Sequence, residues 1–286
     1  MRAIHFLLLS PVLGLATIFL AGPALYVLWL SLTVSNYGMN AQFVGLQNYV
    51  TVLQDPGFWT AVVNTLIIVN VVVYVELILA LGISLVVQRQ SGLMRVLLFS
   101  AILVPYGISD VVGVMAWRFM SDPNFGILAR GLASIGIDFN WTINPTLALI
   151  LVTIISVWHH LPFTFVLVFA ALVSVPKDMV EAAEVDGAGP FQRFWYIIFP
   201  FIVPAVLLAM LFRYVFGLRL FTEVWLLTNG GPMGMTEVLG TYLYKNAFRF
   251  GDFGAASATG WMMVVITLLL ASPYLVKMYK GTFRDV

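Results

Sequence analysis

The chain contains no Asp, Glu, Lys or Arg from Ala3 through Gln54. A water-soluble domain cannot cover so long a stretch with polar surface, because about 25% of the residues of such domains are charged. Over all 286 residues only 9% are charged and 61% are hydrophobic. The solvent of this chain is therefore predicted to be lipid, and membrane lipid is its first expected partner.

Apolar stretches long enough to cross a bilayer occur six times. A bilayer core of about 30 Å takes roughly 20 helical residues, and these stretches lack the alternation of a lipid-facing barrel strand. The predicted fold class is an all-α membrane protein with six transmembrane helices, forming a single transmembrane domain over residues 1–286. The helices are expected at about Phe6 to Leu32, Thr60 to Gln88, Leu93 to Met120, Pro145 to Val173, Phe199 to Leu227 and Phe253 to Val276.

The distribution of cations predicts the orientation of these helices, because cytoplasmic loops carry an excess of Lys and Arg. With the N-terminus inside, the cytoplasmic cations are Arg2, Arg89, Arg95, Lys177, Arg193, Lys277, Lys280 and Arg284. Those at or beyond the outer face are Arg118, Arg130, Lys245 and Arg249. Both the N- and the C-terminus are therefore expected in the cytoplasm.

Charge and composition also exclude several functions. The net charge of +1 provides no basic field for a phosphate backbone, so no nucleic acid is expected as a partner. Cysteine is absent, which excludes disulfides, thiolate metal sites and cysteine nucleophiles. The sequence has no GxxxxGK[ST] run to hold nucleotide phosphates. No cofactor is expected to bind this chain.

One polar segment, about residues 174–198, separates the fourth and fifth predicted helices. It predicts a short helix from about Lys177 to Asp186, a turn at Gly187 and a second helix. The first helix carries an acidic stripe and a small apolar face of the kind that docks into a groove on another protein. A solvated connecting loop is the alternative. The acidic stripe consists of Asp178, Glu181 and Glu184.

The residue order of this segment resembles the EAA motif of ABC importer permeases. Glu181-Ala182-Ala183 is followed by Gly187 at the motif spacing, and Asp186 precedes that glycine as in the sugar-type members. The motif closes at Phe199-Pro200, where the family usually has Leu-Pro. Residues 227–248 and 43–49 also resemble the maltose-type subunit of carbohydrate importers.

The resemblance implies a permease subunit of an ATP-driven importer in a bacterial or archaeal plasma membrane. Such a subunit forms half of the translocation path for a sugar, polyol or glycerol-phosphate-like solute, and it is not an enzyme. The implied partners are a second homologous permease, two copies of a cytoplasmic ATPase that hold ATP and Mg, and an extracytoplasmic solute-binding protein. The implied ATPase-coupling residues are Glu181, Ala182, Ala183, Asp186 and Gly187.

The resemblance also implies a set of residues along the solute path. They carry more charge than the maltose-type lining, which disfavours maltose itself. A metal site is not expected, because neighbouring helical residues such as His159 and His160 point about 100° apart. The implied path residues are Tyr106, Asp110, Ser156, His159, His160, Phe163, Arg213, Gly217 and Leu220.

Other ionisable residues at membrane depth have structural interpretations. Glu76 stands alone on an aliphatic helix and is expected to make an interhelical hydrogen bond. Arg219 and Glu223 are spaced i,i+4 and are predicted to neutralise each other. The small residues from Gly254 to Gly260 are predicted to allow close helix packing.

Two other functional classes compete with this interpretation. A stand-alone secondary transporter or channel for small polar solutes predicts internal repeats with broken helices in both halves, and no such duplication is apparent. An intramembrane enzyme could use His159, His160 and Asp110 as acid and base groups, but the sequence lacks a recognised spacing for a nucleophile or metal.

Overall fold

The computed structural model describes residues 10–11, 14–36 and 39–283, and it is predominantly helical. The predicted helix start at Phe6 and the cations Arg2 and Arg284 lie outside the described residues, and only the backbone of Lys280 is described. The α-helices are α1 Gly22–Ser31, α2 Gln47–Gln54, α3 Pro56–Gln88, α4 Gly92–Gly107, α5 Asp110–Met120, α6 Ile127–Ser134, α7 Pro145–Val173, α8 Lys177–Val185, α9 Pro190–Arg193, α10 Phe199–Gly217, α11 Thr222–Leu227, α12 Leu239–Tyr244 and α13 Phe253–Phe283. Short π-helical segments occur at Thr17–Ala21, Phe194–Ile198 and Lys245–Arg249, and the strands are β1 Thr33–Asn36 and β2 Met39–Phe43.

Five helical segments of the described chain are long and apolar enough to cross a membrane. A bent pair, α4 with α5, makes a sixth if it is counted as one span. The sequence predicts six membrane helices, and the described chain has five, or six with the bent pair counted as one span. The five spans are Gly14–Ser31, Pro56–Gln88, Pro145–Val173, Pro190–Gly217 and Phe253–Tyr279.

The third predicted helix is not continuous. α4 ends at Gly107 and α5 begins at Asp110, and the two axes differ by 98°. Pro105 in the last turn of α4 lacks a backbone donor, and Gly107 is a weak helix former, so both residues weaken the helix just before the break. Asp110 then lies in the first turn of α5, where a carboxylate is favourable.

The fifth predicted helix is also interrupted. α10 ends at Gly217, residues 218–221 form a non-helical connection, and α11 begins at Thr222. The connection is apolar except for Arg219, and the hydropathy of the whole stretch is high enough to predict one continuous span. Arg219 and Glu223 are four residues apart but consequently do not lie on one continuous helix.

The described chain divides into two compact units. The first contains the described residues up to Trp59 together with Leu239–Ile266. In it β1 and β2 form an antiparallel pair, with Thr33 opposite Phe43, which adds a small sheet to the predicted all-α fold. Asn48 donates from Nδ2 to the carbonyl oxygens of Ser31 at 2.8 Å and Thr33 at 2.9 Å.

A second polar contact in this unit joins Tyr242 to Asp55, with 2.7 Å between Tyr242 Oη and Asp55 Oδ2. Burial raises the pKa of Tyr242, and the hydrogen bond to the Asp55 carboxylate raises it further, so the hydroxyl stays protonated and donates. The predicted small-residue packing is found at the start of α13, where Ala255, Ala256 and Ala258 are buried.

The second unit contains Thr60–Val238 and the described residues from Thr267 onward. α7 runs through its centre and contributes to two apolar clusters, one with α3, α5 and α11 and the other with α3, α4 and α10. Asn144 begins α7 by accepting from the backbone N–H groups of Thr146 and Leu147, and Pro145 occupies the first helical position. The predicted bounds of this helix, Pro145–Val173, are confirmed.

Candidate functional site

A cavity of about 250 Å³ with both polar and apolar lining lies within the second unit. It is lined by α3, α7, α10, α11, the first residue of α5 and the connection after Gly217. A second cavity of about 310 Å³ is lined by α4, α5, α7, α10 and Ile108. Four residues line both cavities, so the two are neighbours. These residues are Asp110, His160, Arg213 and Phe216.

All nine residues predicted for the solute path line one or both cavities. Their contact with a solute stays a prediction. The first cavity is lined by Asp110, Ser156, His160, Arg213, Gly217 and Leu220. The second is lined by Tyr106, Asp110, His159, His160, Phe163 and Arg213.

Asp110 connects the broken third span to α7. His159 Nε2 lies 2.7 Å from Asp110 Oδ1, and the aspartate side chain is 58% exposed whereas the histidine side chain is 8% exposed. Three residues further along α5, a Cβ on Gly113 would lie 3.2 Å from the ring of Trp158. The start of α5 is therefore held against α7 by a polar contact and by close packing, while the carboxylate remains accessible from the cavities.

The second histidine faces a different acid. His160 Nε2 lies 3.8 Å from Glu223 Oε1, and Ser156 donates from Oγ to the same oxygen at 3.3 Å. The predicted pairing of Glu223 with Arg219 was wrong, because the helix is interrupted between them and Glu223 contacts α7 instead. Arg219 is exposed and lines the first cavity.

A buried ion pair lies beside both cavities. Arg213 on α10 donates from Nε to Glu76 Oε2 at 2.7 Å and from Nη2 to Glu76 Oε1 at 2.8 Å. Thr164 on α7 adds a third hydrogen bond to Glu76 Oε2 at 2.9 Å. The predicted interhelical hydrogen bond of Glu76 is confirmed. Glu76 is 0% exposed, and this two-pronged geometry offsets part of the loss of hydration of both charges.

Sequence reasoning missed several residues that line the cavities, among them Glu223, Arg219 and Phe216. Glu223 and Arg219 were assigned to each other, and Phe216 was not considered, although it lines both cavities. The sequence did contain a signal for the Glu76–Arg213 pair. Two lone opposite charges at membrane depth, in separate spans, are most stable when they contact each other. Helix spacing within one span could not reveal that partnership.

The connecting segment after α7 has the predicted helix, turn and helix. α8 runs Lys177–Val185 with no buried residue, and Gly187 has φ +83°, a left-handed conformation that favours glycine. Arg193 on α9 forms a salt bridge with Glu184 on α8. Gln192 accepts at Oε1 from the backbone N–H of Gly189 at 2.9 Å. Local contacts thus fix the turn, while α8 exposes its surface.

Within the part of the chain that the structure describes, no group of three or more His, Asp or Glu side chains could hold a metal ion. The two adjacent histidines instead contact two different carboxylates, Asp110 and Glu223.

Comparison with known proteins assigns a family to this architecture. The family described as binding-protein-dependent transport system inner membrane component matches residues 77–276. The sn-glycerol-3-phosphate transport system permease protein UgpA of Yersinia pestis is 32% identical over 268 residues, covering 92% of this chain and 90% of the relative. The trehalose transport system permease protein SugA of Mycobacterium tuberculosis is 36% identical over 263 residues, covering 90% and 82%.

Solved structures show the same fold. A chain of a bacterial ABC transporter involved in the import of the acidic polysaccharide alginate superposes with a TM-score of 0.82 at 21% identity, covering 97% of this chain and 95% of the other. A second structure, of a bacterial alginate ABC transporter in complex with alginate pentasaccharide-bound periplasmic protein, gives a TM-score of 0.80 at 23% identity.

These relatives are transport permeases rather than enzymes, and ATP hydrolysis belongs to a partner ATPase. The chain has several membrane-spanning helices and its family is one of inner membrane components, which locates it in the bacterial plasma membrane. The chain belongs to the family of binding-protein-dependent transport system inner membrane components and is a permease subunit of an ABC importer.

Proposed function

We propose that α8 is the element through which this permease couples to its ATPase, and that Glu181, Ala182, Ala183, Asp186 and Gly187 make the coupling contacts. The single observation that carries the proposal is that α8 is a short helix with no buried residue, held by a fixed turn next to the membrane spans. In an otherwise apolar chain, such an exposed polar helix is suited to a cytoplasmic protein partner.

The proposed roles follow from residue chemistry. The Glu181 carboxylate accepts from a basic group or backbone N–H in the ATPase groove, and the small side chains of Ala182 and Ala183 permit close approach. Gly187 allows the left-handed turn that sets the direction of α8. When ATP binding closes two ATPase subunits, the helix moves with its groove and the spans change between inward and outward openings.

Orientation and partners are part of the same proposal. Both termini and the 174–198 segment are cytoplasmic, which the cations Arg89, Arg95 and Lys277 near helix ends support. The chain acts as one transmembrane permease domain beside a second homologous permease. Two ATPase subunits hold ATP and Mg, and an extracytoplasmic binding protein delivers the solute.

The two cavities are proposed as this subunit's half of the solute path. They combine hydrogen-bonding groups, such as Ser156 and Asp110, with the aromatic rings of Tyr106 and Phe163. Sugars present apolar C–H faces and hydroxyls, so a wall of rings and polar groups suits a sugar, polyol or glycerol-phosphate-like solute.

Gly187→Val tests the coupling proposal in the complete importer reconstituted in liposomes. A β-branched residue in the left-handed region costs about 1–2 kcal/mol, so we expect the turn to move and binding-protein-stimulated ATP hydrolysis to fall roughly tenfold. Gly136→Val is the matched control, because Gly136 has φ +81° and lies in the connection after α6. Equal stimulation in the two variants would contradict the coupling role.

A further inference from the structure

The Glu76–Arg213 pair uses only part of the hydrogen-bonding capacity of the guanidinium. Nε and Nη2 donate to the two carboxylate oxygens of Glu76. Among the described residues, no hydrogen bond of Nη1 to protein is found, and Arg213 lines both cavities although it is only 4% exposed. The arginine therefore has a donor edge still available beside the cavities, in an orientation fixed by its acid partner.

The pair also has no net charge. Guanidinium and carboxylate lie in direct contact, so each cancels most of the field of the other at a distance. Glu76 itself is fully buried and does not line either cavity. Arg213 thus presents donor groups to the cavities without presenting a free positive charge.

The remaining charged residues of the first cavity do not supply a positive excess. Asp110 and Glu223 are acids and Arg219 is the remaining base. Both acids lie close to histidines, at 2.7 Å for Asp110 with His159 and 3.8 Å for Glu223 with His160. A phosphate or carboxylate on a solute would meet two acids here, which is unfavourable in a site of restricted hydration.

We infer that Glu76 is a positioning residue for Arg213: it neutralises the arginine and orients Nη1 to donate to an uncharged oxygen of the solute. The path through this subunit then takes a neutral, hydroxyl-rich solute rather than an anionic one. The inference rests on the proposed function, since it requires the cavities to be part of the solute path. Of the solutes proposed above, the inference keeps the uncharged sugars and polyols and excludes the glycerol-phosphate-like ones.

The absence of cysteine from the chain makes a direct electrostatic test possible. Phe216 lines both cavities, so Phe216→Cys places one reporter thiol there. Its modification rates are measured in the assembled importer with anionic, cationic and neutral methanethiosulfonates. Glu76→Gln in the same background removes the negative charge that balances Arg213. We therefore expect the ratio of the anionic to the cationic modification rate to rise about tenfold.

Two further variants control this measurement. Thr164→Val removes one hydrogen bond to Glu76 without changing any charge, and its rate ratio should stay within about twofold of the parent. Arg213→Gln leaves Glu76 negative and should lower the ratio about tenfold, which provides the test if Glu76→Gln fails to assemble. The double variant Glu76→Gln, Arg213→Gln should return the ratio to that of the parent.

The possible failures are distinguishable. A reactive thiol whose rate ratio is unchanged by both Glu76→Gln and Arg213→Gln would overturn the role of Glu76 while leaving the path intact. A thiol at position 216 unreactive to all three reagents would refute the proposed path, and this inference with it. Mass spectrometry of the solute extracted from the cognate binding protein tests the ligand class: an uncharged molecule supports it, and a phosphate or carboxylate overturns it.

Discussion

The cavity wall and the 174–198 segment use charged residues in opposite ways. Beside the cavities, the Glu76 side chain is 0% exposed and bonded to Arg213, whereas in the segment the Glu184 side chain is 65% exposed beside Arg193. A buried charge needs a partner inside the fold, while an exposed one remains available to another protein. The comparison separates charges that hold the spans together from charges that stay exposed on the 174–198 segment, the surface proposed above for the ATPase.

Breaking the buried Glu76–Arg213 pair should have the largest effect on stability. Glu76→Leu leaves the Arg213 guanidinium without its carboxylate, and we expect the free energy of unfolding to fall by about 3–5 kcal/mol. Denaturant unfolding of the purified permease in detergent measures it. The matched double variant, Glu76→Leu with Arg213→Leu, removes both charges and should recover most of the loss. A double variant as unstable as the single one would contradict the charge-pairing explanation.

Asp110 combines features of the two kinds of charged residue, because its carboxylate is partly exposed yet bonded to His159. Asp110→Ala removes a charged hydrogen bond worth about 1.5–3 kcal/mol, so we expect solute uptake to fall roughly tenfold to hundredfold. Asp138→Ala, an exposed carboxylate that lines neither cavity, is the control. Normal uptake by the Asp110 variant, with normal assembly of the importer, would remove this residue from the path.

Packing at the cavity wall should respond to a single methyl group. A Cβ on Gly217 would lie 3.2 Å from Val69 Cγ1, so Gly217→Ala should lower the free energy of unfolding by about 1 kcal/mol. Gly82→Ala is the control, because a Cβ there meets no atom within 4 Å. That variant should raise the same free energy by about 0.5–1 kcal/mol. Equal effects of the two substitutions would refute the close contact.

The exposed pair should give the smallest effect. Because the salt bridge between Glu184 and Arg193 is largely solvated, Glu184→Ala should change the free energy of unfolding by only about 0.2–1 kcal/mol. A double-mutant cycle with Arg193→Ala isolates the interaction between the two side chains. An interaction as strong as that predicted for Glu76 would erase the distinction between the two regions.

Sequence reasoning succeeded where structure depends on neighbouring residues. The segment from Lys177 to Gly187 contains its own helix start, stop and turn glycine, so its local structure followed from residue order. The fourth span was also predicted at its observed bounds, since Asn144 and Pro145 define its start and an apolar run defines its length. Helix caps depend on residues within one or two turns, and hydropathy depends on the residues of a single span. Both can therefore be read directly from the sequence.

The interruptions of the third and fifth spans were not predicted, although Pro105 and Gly107 gave a local sign of the first one. Residues 108–109 and 218–221 lie within long apolar stretches and contain one polar residue each, Ser109 and Arg219, so hydropathy averaged over a whole span does not mark the breaks. Asp110 is held by His159, and Glu223 by Ser156 on α7. The predicted pairing of Arg219 with Glu223 was wrong because it assumed a continuous helix.

The most direct test of the coupling role uses the exposed surface of α8. Val185 is 88% exposed, and Val185→Cys introduces a single thiol into this cysteine-free chain. We expect its maleimide labelling rate to fall roughly tenfold when the ATPase assembles on the permease, because a docked groove excludes the reagent. Met233→Cys, at a 94% exposed position in the connection between α11 and α12, should label at an unchanged rate. Equal labelling of the Val185 variant with and without the ATPase would contradict the account.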